Sequence, residues 1–332
     1  MERSESIIMK RLIPSLAVAA LVVAGAWPAQ AQFKPTKQVE FVVHAGPGSG
    51  NDVFARALTT IIEQEKLAPV RFQVVNKPGG GSTSASAYVV SKKGDQHVIA
   101  CFTNIWLLDP LVQQAATNRL QDMTPIARLV VEPALAVVLA DSPYKSLGQF
   151  IDAAKANPGK LRWSGGSITS RENTVRQLLM QLTGARWQFI SFPTGGERLA
   201  ALLGGHVEMM VLDPSEAIEQ IRSGKFRAVA QVSERRLPGF PDVPTIKEAG
   251  FDIPNVPQMR GVVGAPGMSP EAVTYYEDLF FKASQTAGWK KFVDEGQLDG
   301  EYVRSAELKP FLINFEGTLR EILKASGAKV VR

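Results

Sequence analysis

Short apolar, β-branched runs recur along the chain at residues 39–43, 71–75, 97–102, 134–139, 161–164, 187–192, 207–212, 227–232 and 261–264. Runs this short and this continuously apolar read as strands buried on both faces. Between them lie stretches in which apolar residues recur with helical spacing, at 52–65, 147–156, 170–183, 197–203, 214–223, 270–287 and 308–325. The alternation predicts an α/β fold with mostly parallel sheets. Turn clusters such as Asn157-Pro158-Gly159 and Leu237-Pro238-Gly239 punctuate the elements, and neither an internal repeat nor a low-complexity tract interrupts them.

The N-terminus follows a different pattern. Lys10-Arg11 precede an apolar run at 12–26, and Ala29-Gln30-Ala31 supplies the small-x-small spacing that a signal peptidase reads. A secretory signal peptide over residues 1–31 is expected, with the mature chain beginning near Gln32 in the periplasm. Met9-Lys10-Arg11 is a more ordinary signal start than the acidic stretch at 1–8, so Met9 stands beside Met1 as a candidate start. The apolar run is shorter than the ~20 residues needed to span hydrocarbon, and Pro14, Gly25 and Pro28 interrupt or end it.

About 300 residues remain after such a cleavage, more than a single core usually supports, which suggests two lobes. The formal charge of +5 would fall to +4, because the signal carries three basic and two acidic residues. That excess is mild and scattered, with no basic run interleaved with aromatics, so the sequence offers no footprint for nucleic acid. The single cysteine, Cys101, lies in an apolar run and reads as a small packed hydrophobe.

The strand-to-helix junctions are the informative feature. Gly46-Pro47-Gly48-Ser49-Gly50-Asn51-Asp52 follows the first strand, Asn76-Lys77-Pro78-Gly79-Gly80-Gly81-Ser82 the second, and Ser164-Gly165-Gly166-Ser167 a later one. Thr169-Ser170-Arg171-Glu172 then has the spacing of an N-terminal capping box, with Thr169 as the cap. Phe192-Pro193-Thr194-Gly195-Gly196-Glu197 opens another helix, and Asp213-Pro214-Ser215-Glu216 opens one more, with Asp213 as N-cap and Pro214 at the first helical position. Helix starts of this kind present unpaired N–H groups and the positive end of a dipole, which suits carboxylates or phosphates. In open α/β sheets the ligand crevice lies at these strand ends. Taken singly, Asp52, Thr169 and Asp213 could simply cap helices; several such loops in both halves of the chain imply a cleft between two lobes.

Enzyme templates find no match. A dinucleotide fingerprint beginning at Gly46 and Gly48 would need glycine where Asn51 stands, and neither a Gly-Lys-Ser/Thr phosphate loop nor a Gly-x-Ser-x-Gly elbow occurs. The three histidines, His44, His97 and His206, lack metal-ligand spacing. No cofactor, metal or catalytic residue is expected. His206 reads as a surface turn residue; His44, at a strand end facing the first glycine loop, is either a locally hydrogen-bonded structural residue or a ligand contact.

In this order and spacing, the first loop with Val53-Phe54-Ala55-Arg56, Val75-Asn76-Lys77-Pro78-Gly79-Gly80-Gly81, Lys155-Ala156-Asn157-Pro158-Gly159-Lys160-Leu161, Leu202-Leu203-Gly204-Gly205-His206-Val207-Glu208, Ser223-Gly224-Lys225-Phe226-Arg227 and Pro241-Asp242-Val243-Pro244-Thr245-Ile246-Lys247-Glu248-Ala249-Gly250 make the chain resemble the TctC family. These are the Bug receptors, solute-binding components of tripartite tricarboxylate transporters, and the resemblance covers nearly the whole mature chain. It implies a type II periplasmic-binding-protein fold: two α/β lobes with central mixed sheets joined by two crossing strands, placed near 130–139 and 256–263. Lobe 1 would comprise 32–133 and 257–332, and lobe 2 would comprise 134–256.

The resemblance also implies capture of a small di-, tri- or aromatic carboxylate. Gly46, Gly48, Ser49, Gly50, Asn51, Asp52, Thr103 and Asn104 would act from lobe 1, partly through water; Ser164, Ser167, Thr169, Ser170, Thr194, Gly195 and Asp213 would act from lobe 2. A monomeric receptor would deliver the ligand to inner-membrane permease subunits driven by an ion gradient. A divergent enzyme on the same scaffold, or a sensor reporting to a membrane signalling protein, are the alternatives. Three departures bear on the ligand: His44-Ala45 replaces the family's usual Pro and bulky residue, Ser49-Gly50 replaces a Gly-Gly pair, and Arg171-Glu172-Asn173 replaces a small polar run. Arg171 could clamp a second carboxylate in bidentate geometry or lie on the helix surface.

Overall fold

The computed structural model describes residues 33–332, so the signal-peptide expectation lies outside the described residues. The first half alternates strand and helix as β1 (Val39–Val43), α1 (Gly50–Gln64), β2 (Phe72–Asn76), α2 (Thr83–Ser91), β3 (Val98–Phe102) and α3 (Ile105–Val112). β4 (Thr124–Glu132) and β5 (Ala134–Leu139) are separated only by Pro133, and they belong to different sheets. The chain continues through α4 (Leu147–Ala156), β6 (Arg162–Gly165), α5 (Arg171–Thr183), β7 (Gln188–Ser191), α6 (Gly195–Leu203), β8 (Met209–Leu212), α7 (Pro214–Arg222) and β9 (Phe226–Val232). Residues 233–257 lead back to β10 (Gln258–Gly264), followed by α8 (Pro270–Gln285), α9 (Ala287–Glu295), β11 (Val303–Arg304) and α10 (Ser305–Ala325).

The strands form two sheets, ordered β11-β4-β10-β3-β1-β2 and β7-β6-β8-β5-β9. Neither sheet is mostly parallel, contrary to the pattern-based expectation. β1 pairs in parallel with β2 and β3, but β10 enters antiparallel between β3 and β4, and β5 runs antiparallel to both β8 and β9. Strands that cross from the other half approach from the opposite side, so they reverse the local direction.

Central strands are apolar throughout because helices cover both faces; every residue of β3 is buried. α1 turns Phe54, Ala55, Leu58, Ile61 and Ile62 inward, one stripe at helical spacing, and Phe54 meets Trp289 edge-on at 5.7 Å. In the second sheet, Phe150, Trp163 and Trp187 stack into one aromatic cluster. The helix expected at 270–287 is instead two helices. Thr286 leaves helical geometry at φ −70°, ψ 154°, and its side chain caps α9 by accepting from Trp289 N. α2, α3, β11 and the first part of β4, residues 124–129, escape the sequence reading. α2 is a run of small and polar residues without a clear apolar stripe, and α3 carries Pro110 inside it.

Candidate functional site

The carboxyl ends of β1, β3, β6 and β8 converge on a cavity of about 380 Å³. The first sheet contributes Ser49, Gly50 and Asn51 at the start of α1, the glycine turn Gly79-Gly80-Gly81, and Thr103 after β3. The second contributes Ser167, Ser170, Arg171 and Glu172 around the start of α5, Arg198 from α6 and Asp213 before α7. Gln258 and Arg260 of β10 complete the lining.

The two walls touch. Gly46 N donates to Pro193 O at 3.2 Å, and Gly50 N donates to Glu216 Oε1 at 2.5 Å. A side chain at Gly195 would place its Cβ 2.0 Å from the Gly48 carbonyl oxygen, so glycine is what permits this approach. Gly50 is equally confined, facing Asp213 and Arg260.

Of the expected contacts, Ser49, Gly50, Asn51, Thr103, Ser167, Ser170, Arg171 and Asp213 line the cavity; Gly46, Gly48, Asp52, Asn104, Ser164, Thr169, Thr194 and Gly195 do not. Asp52 accepts from Gly48 N at 3.0 Å and pairs with Arg56 at 2.9 Å, which anchors the first loop. Ser49, at the N-cap of α1, accepts from Asp52 N. Asn104 holds the return strand, donating to Pro257 O at 2.5 Å and accepting from Met259 N at 3.1 Å. Thr194 caps α6 in a reciprocal capping box with Glu197, as its spacing predicts.

Three local readings need correction. Thr169 is not the cap of α5: its hydroxyl donates to the buried carboxylate of Asp109, and Ser170 takes the N-cap position without a side-chain hydrogen bond. Asp213 occupies the N-cap of α7 yet caps nothing, because its carboxylate turns to Arg171 and Arg260. Arg171 is neither a surface residue nor a free clamp. It is 1% exposed, bonded to Asp213 and, at 2.7 Å, to Glu132 O. For Thr169 and Asp213 a buried charge from a distant part of the chain outweighs a local cap whose contribution is about 1 kcal/mol.

These contacts belong to a buried network the sequence reading missed. Arg260 bridges Glu132, the last residue of β4, to Asp213, thereby tying the return strand, the crossing strand and the second sheet together. Arg198 pairs with Glu216 at 2.5 Å. A signal existed: Arg260 interrupts the apolar run Gln258–Gly264, where a charge must find a partner. Burial pushes the Glu132 carboxyl well above the usual range, against the pull of Arg260, and raises Glu216 against the pull of Arg198. Burial acts on Asp213 too, but the guanidiniums of Arg260, Arg171 and Arg198 outweigh it and hold Asp213 low.

On the other wall, His44 Nδ1 accepts from Trp106 Nε1 at 3.0 Å and lies 2.8 Å from Asn51 Nδ2. Desolvation, reinforced by Arg260, lowers its pKa to about 3, so the ring is neutral at physiological pH. It also lines the cavity. Cys101 is fully buried behind Asn51, and burial pushes its thiol up. Among the described residues, no cluster of His, Cys, Asp and Glu could hold a metal ion.

The same arrangement of sheets recurs in known proteins. The periplasmic binding protein BugD superposes with a TM-score of 0.83 at 21% identity, over 89% of this chain and 99% of that one. An adipate-bound R. palustris protein superposes with the same TM-score of 0.83 at 20% identity, over 88% and 98%. A Cupriavidus necator protein described as the UPF0065 protein in the gbd 5' region is 32% identical over 298 residues, 89% of each chain. Residues 55–327 match the family described as TctC, Tripartite tricarboxylate transporter family receptor. The chain thus belongs to the TctC family, a family of solute-binding receptors and not of enzymes.

Proposed function

We propose that the chain is an exported receptor that captures a small carboxylate in the cavity between its two sheets and delivers it to inner-membrane permease subunits. In this reading residues 1–31 are a cleaved signal, residues 32–133 and 257–332 form one lobe, and 134–256 form the other. The observation that carries it is the convergence of helix starts from both sheets on one cavity. α1 starts there from the first sheet, and α5 and α7 start there from the second with no capping side chain. First-turn amides have no intrahelical partner and carry the positive end of the helix dipole, so they attract anions. The adipate in the R. palustris protein of the same fold agrees with this chemistry.

The direct test is a thermal-unfolding screen of mono-, di- and tricarboxylates, aromatic ones included. A bound ligand at a hundredfold excess over its dissociation constant stabilises the fold by about 2.7 kcal/mol, and carboxylates should supply the hits without being consumed. Stabilisation by sugars or amines alone would overturn the reading.

A further inference from the structure

We infer that the ligand carries a protonated amine beside its carboxylate and that Glu172 receives it. The inference rests on the carboxylate-capture reading and narrows it. Every guanidinium at the cavity is already engaged: Arg171 by Asp213, Arg260 by Asp213 and Glu132, and Arg198 by Glu216. Among the described residues lining the cavity, no arginine is without a carboxylate partner, so a second carboxylate would compete with one already in place. Glu172 is the exception among the acids. It lines the cavity at 6% exposure, has no ion-pair partner, and accepts a single long bond of 3.4 Å from Gly166 N.

Magnitudes separate a structural from a ligand-directed role. Removing a carboxylate from water costs several kcal/mol unless a donor or cation compensates. Glu172 sits in the first turn of α5, where the helix dipole returns about 0.3–1 kcal/mol, or ~2 kcal/mol in favourable buried geometry. Arg198 adds attraction through space without an ion-pair contact, and the side of Glu172 left without a partner is the one that lines the cavity. An ammonium beside Glu172 gives this carboxylate the partner it lacks; a second carboxylate there would face like charge.

Calorimetric titration of the full chain with matched series tests this. The probes are linear dicarboxylates of three to eight carbons, the amino monocarboxylates of equal length with the amine at the second or the last carbon, and the corresponding diamines. The expected result is at least tenfold tighter binding of an amino monocarboxylate than of the dicarboxylate of equal length. In Glu172→Gln, which keeps the side chain's shape and a hydrogen-bond acceptor, that preference should vanish while dicarboxylate binding holds or improves. Dicarboxylates binding as tightly as amino acids in the parent would overturn the inference and leave carboxylate capture standing. Equal weakening of both series in Glu172→Gln would make Glu172 a scaffold residue, which also overturns it. Binding of diamines alone would defeat the carboxylate reading itself.

Discussion

On the wall built by α1 and the glycine loops, the cavity meets uncharged side chains, Ser49, Asn51 and Thr103; on the wall built by the second sheet, together with Arg260 of the returning strand β10, it meets Arg171, Glu172, Arg198 and Asp213. The loop that opens α1 on the first wall is shaped by local contacts. Ser49 and Asp52 bond backbone amides three or four residues away. The second is held from afar, through Arg260 and Glu132 of the return and crossing strands. A backbone-built wall offers N–H groups whose direction the fold fixes. A wall of ion pairs offers charge whose sign depends on how the pairs are balanced.

This contrast can be broken first by stability. Arg260→Met leaves two buried carboxylates short of a partner and should cost about 3–5 kcal/mol. Ser49→Ala, on the other wall, removes one cap bond and should cost about 1 kcal/mol. Urea unfolding of both variants measures the difference. A loss below about 1 kcal/mol for Arg260→Met would show that the network contributes little to holding the sheets.

A smaller effect separates the walls by pH. The folded pKa of His44 is lowered from 6.5 to about 3, so the unfolded chain takes up a proton that the folded chain refuses. Its contribution is therefore complete above pH 6.5 and is lost as pH falls towards 3, at about 1.4 kcal/mol per unit. Glu132, raised by burial, acts with the opposite sign over higher pH, so the parent's curve alone does not isolate either group. Subtracting His44→Gln from the parent should leave a loss of about 2 kcal/mol between pH 6.5 and 5. Parallel curves would show that His44 titrates normally.

The same division explains what could be read from the chain alone. Central strands were legible because helices cover both faces and leave unbroken apolar runs, as at Val98–Phe102. The helix start at Thr194 was legible because its capping partners, Thr194 and Glu197, lie within one turn. Thr169 and Asp213 carried similar local signals and were misread, because Asp109 lies 60 residues from Thr169 and Arg260 lies 47 from Asp213. Sequence spacing reports contacts within a few residues, and these two side chains answer to partners that only the crossing strands bring near. The antiparallel insertions of β5 and β10 were hidden from the apolar pattern for the same reason, and only the family resemblance, with its mixed sheets and crossing strands near 130–139 and 256–263, implied them. A strand's apolar pattern does not state which sheet it joins.

Capture between two walls is tested most directly by small-angle scattering of the parent and of Ser170→Leu, with and without the carboxylate that stabilises the parent most. Ser170 lines the cavity and makes no side-chain cap bond at the start of α5, so leucine fills the site without removing a helix contact. A ligand shifts closure only by binding the closed state more tightly than the open one. The parent should become more compact on saturation and the folded variant should not; equal compaction in both would place the ligand elsewhere than between these walls.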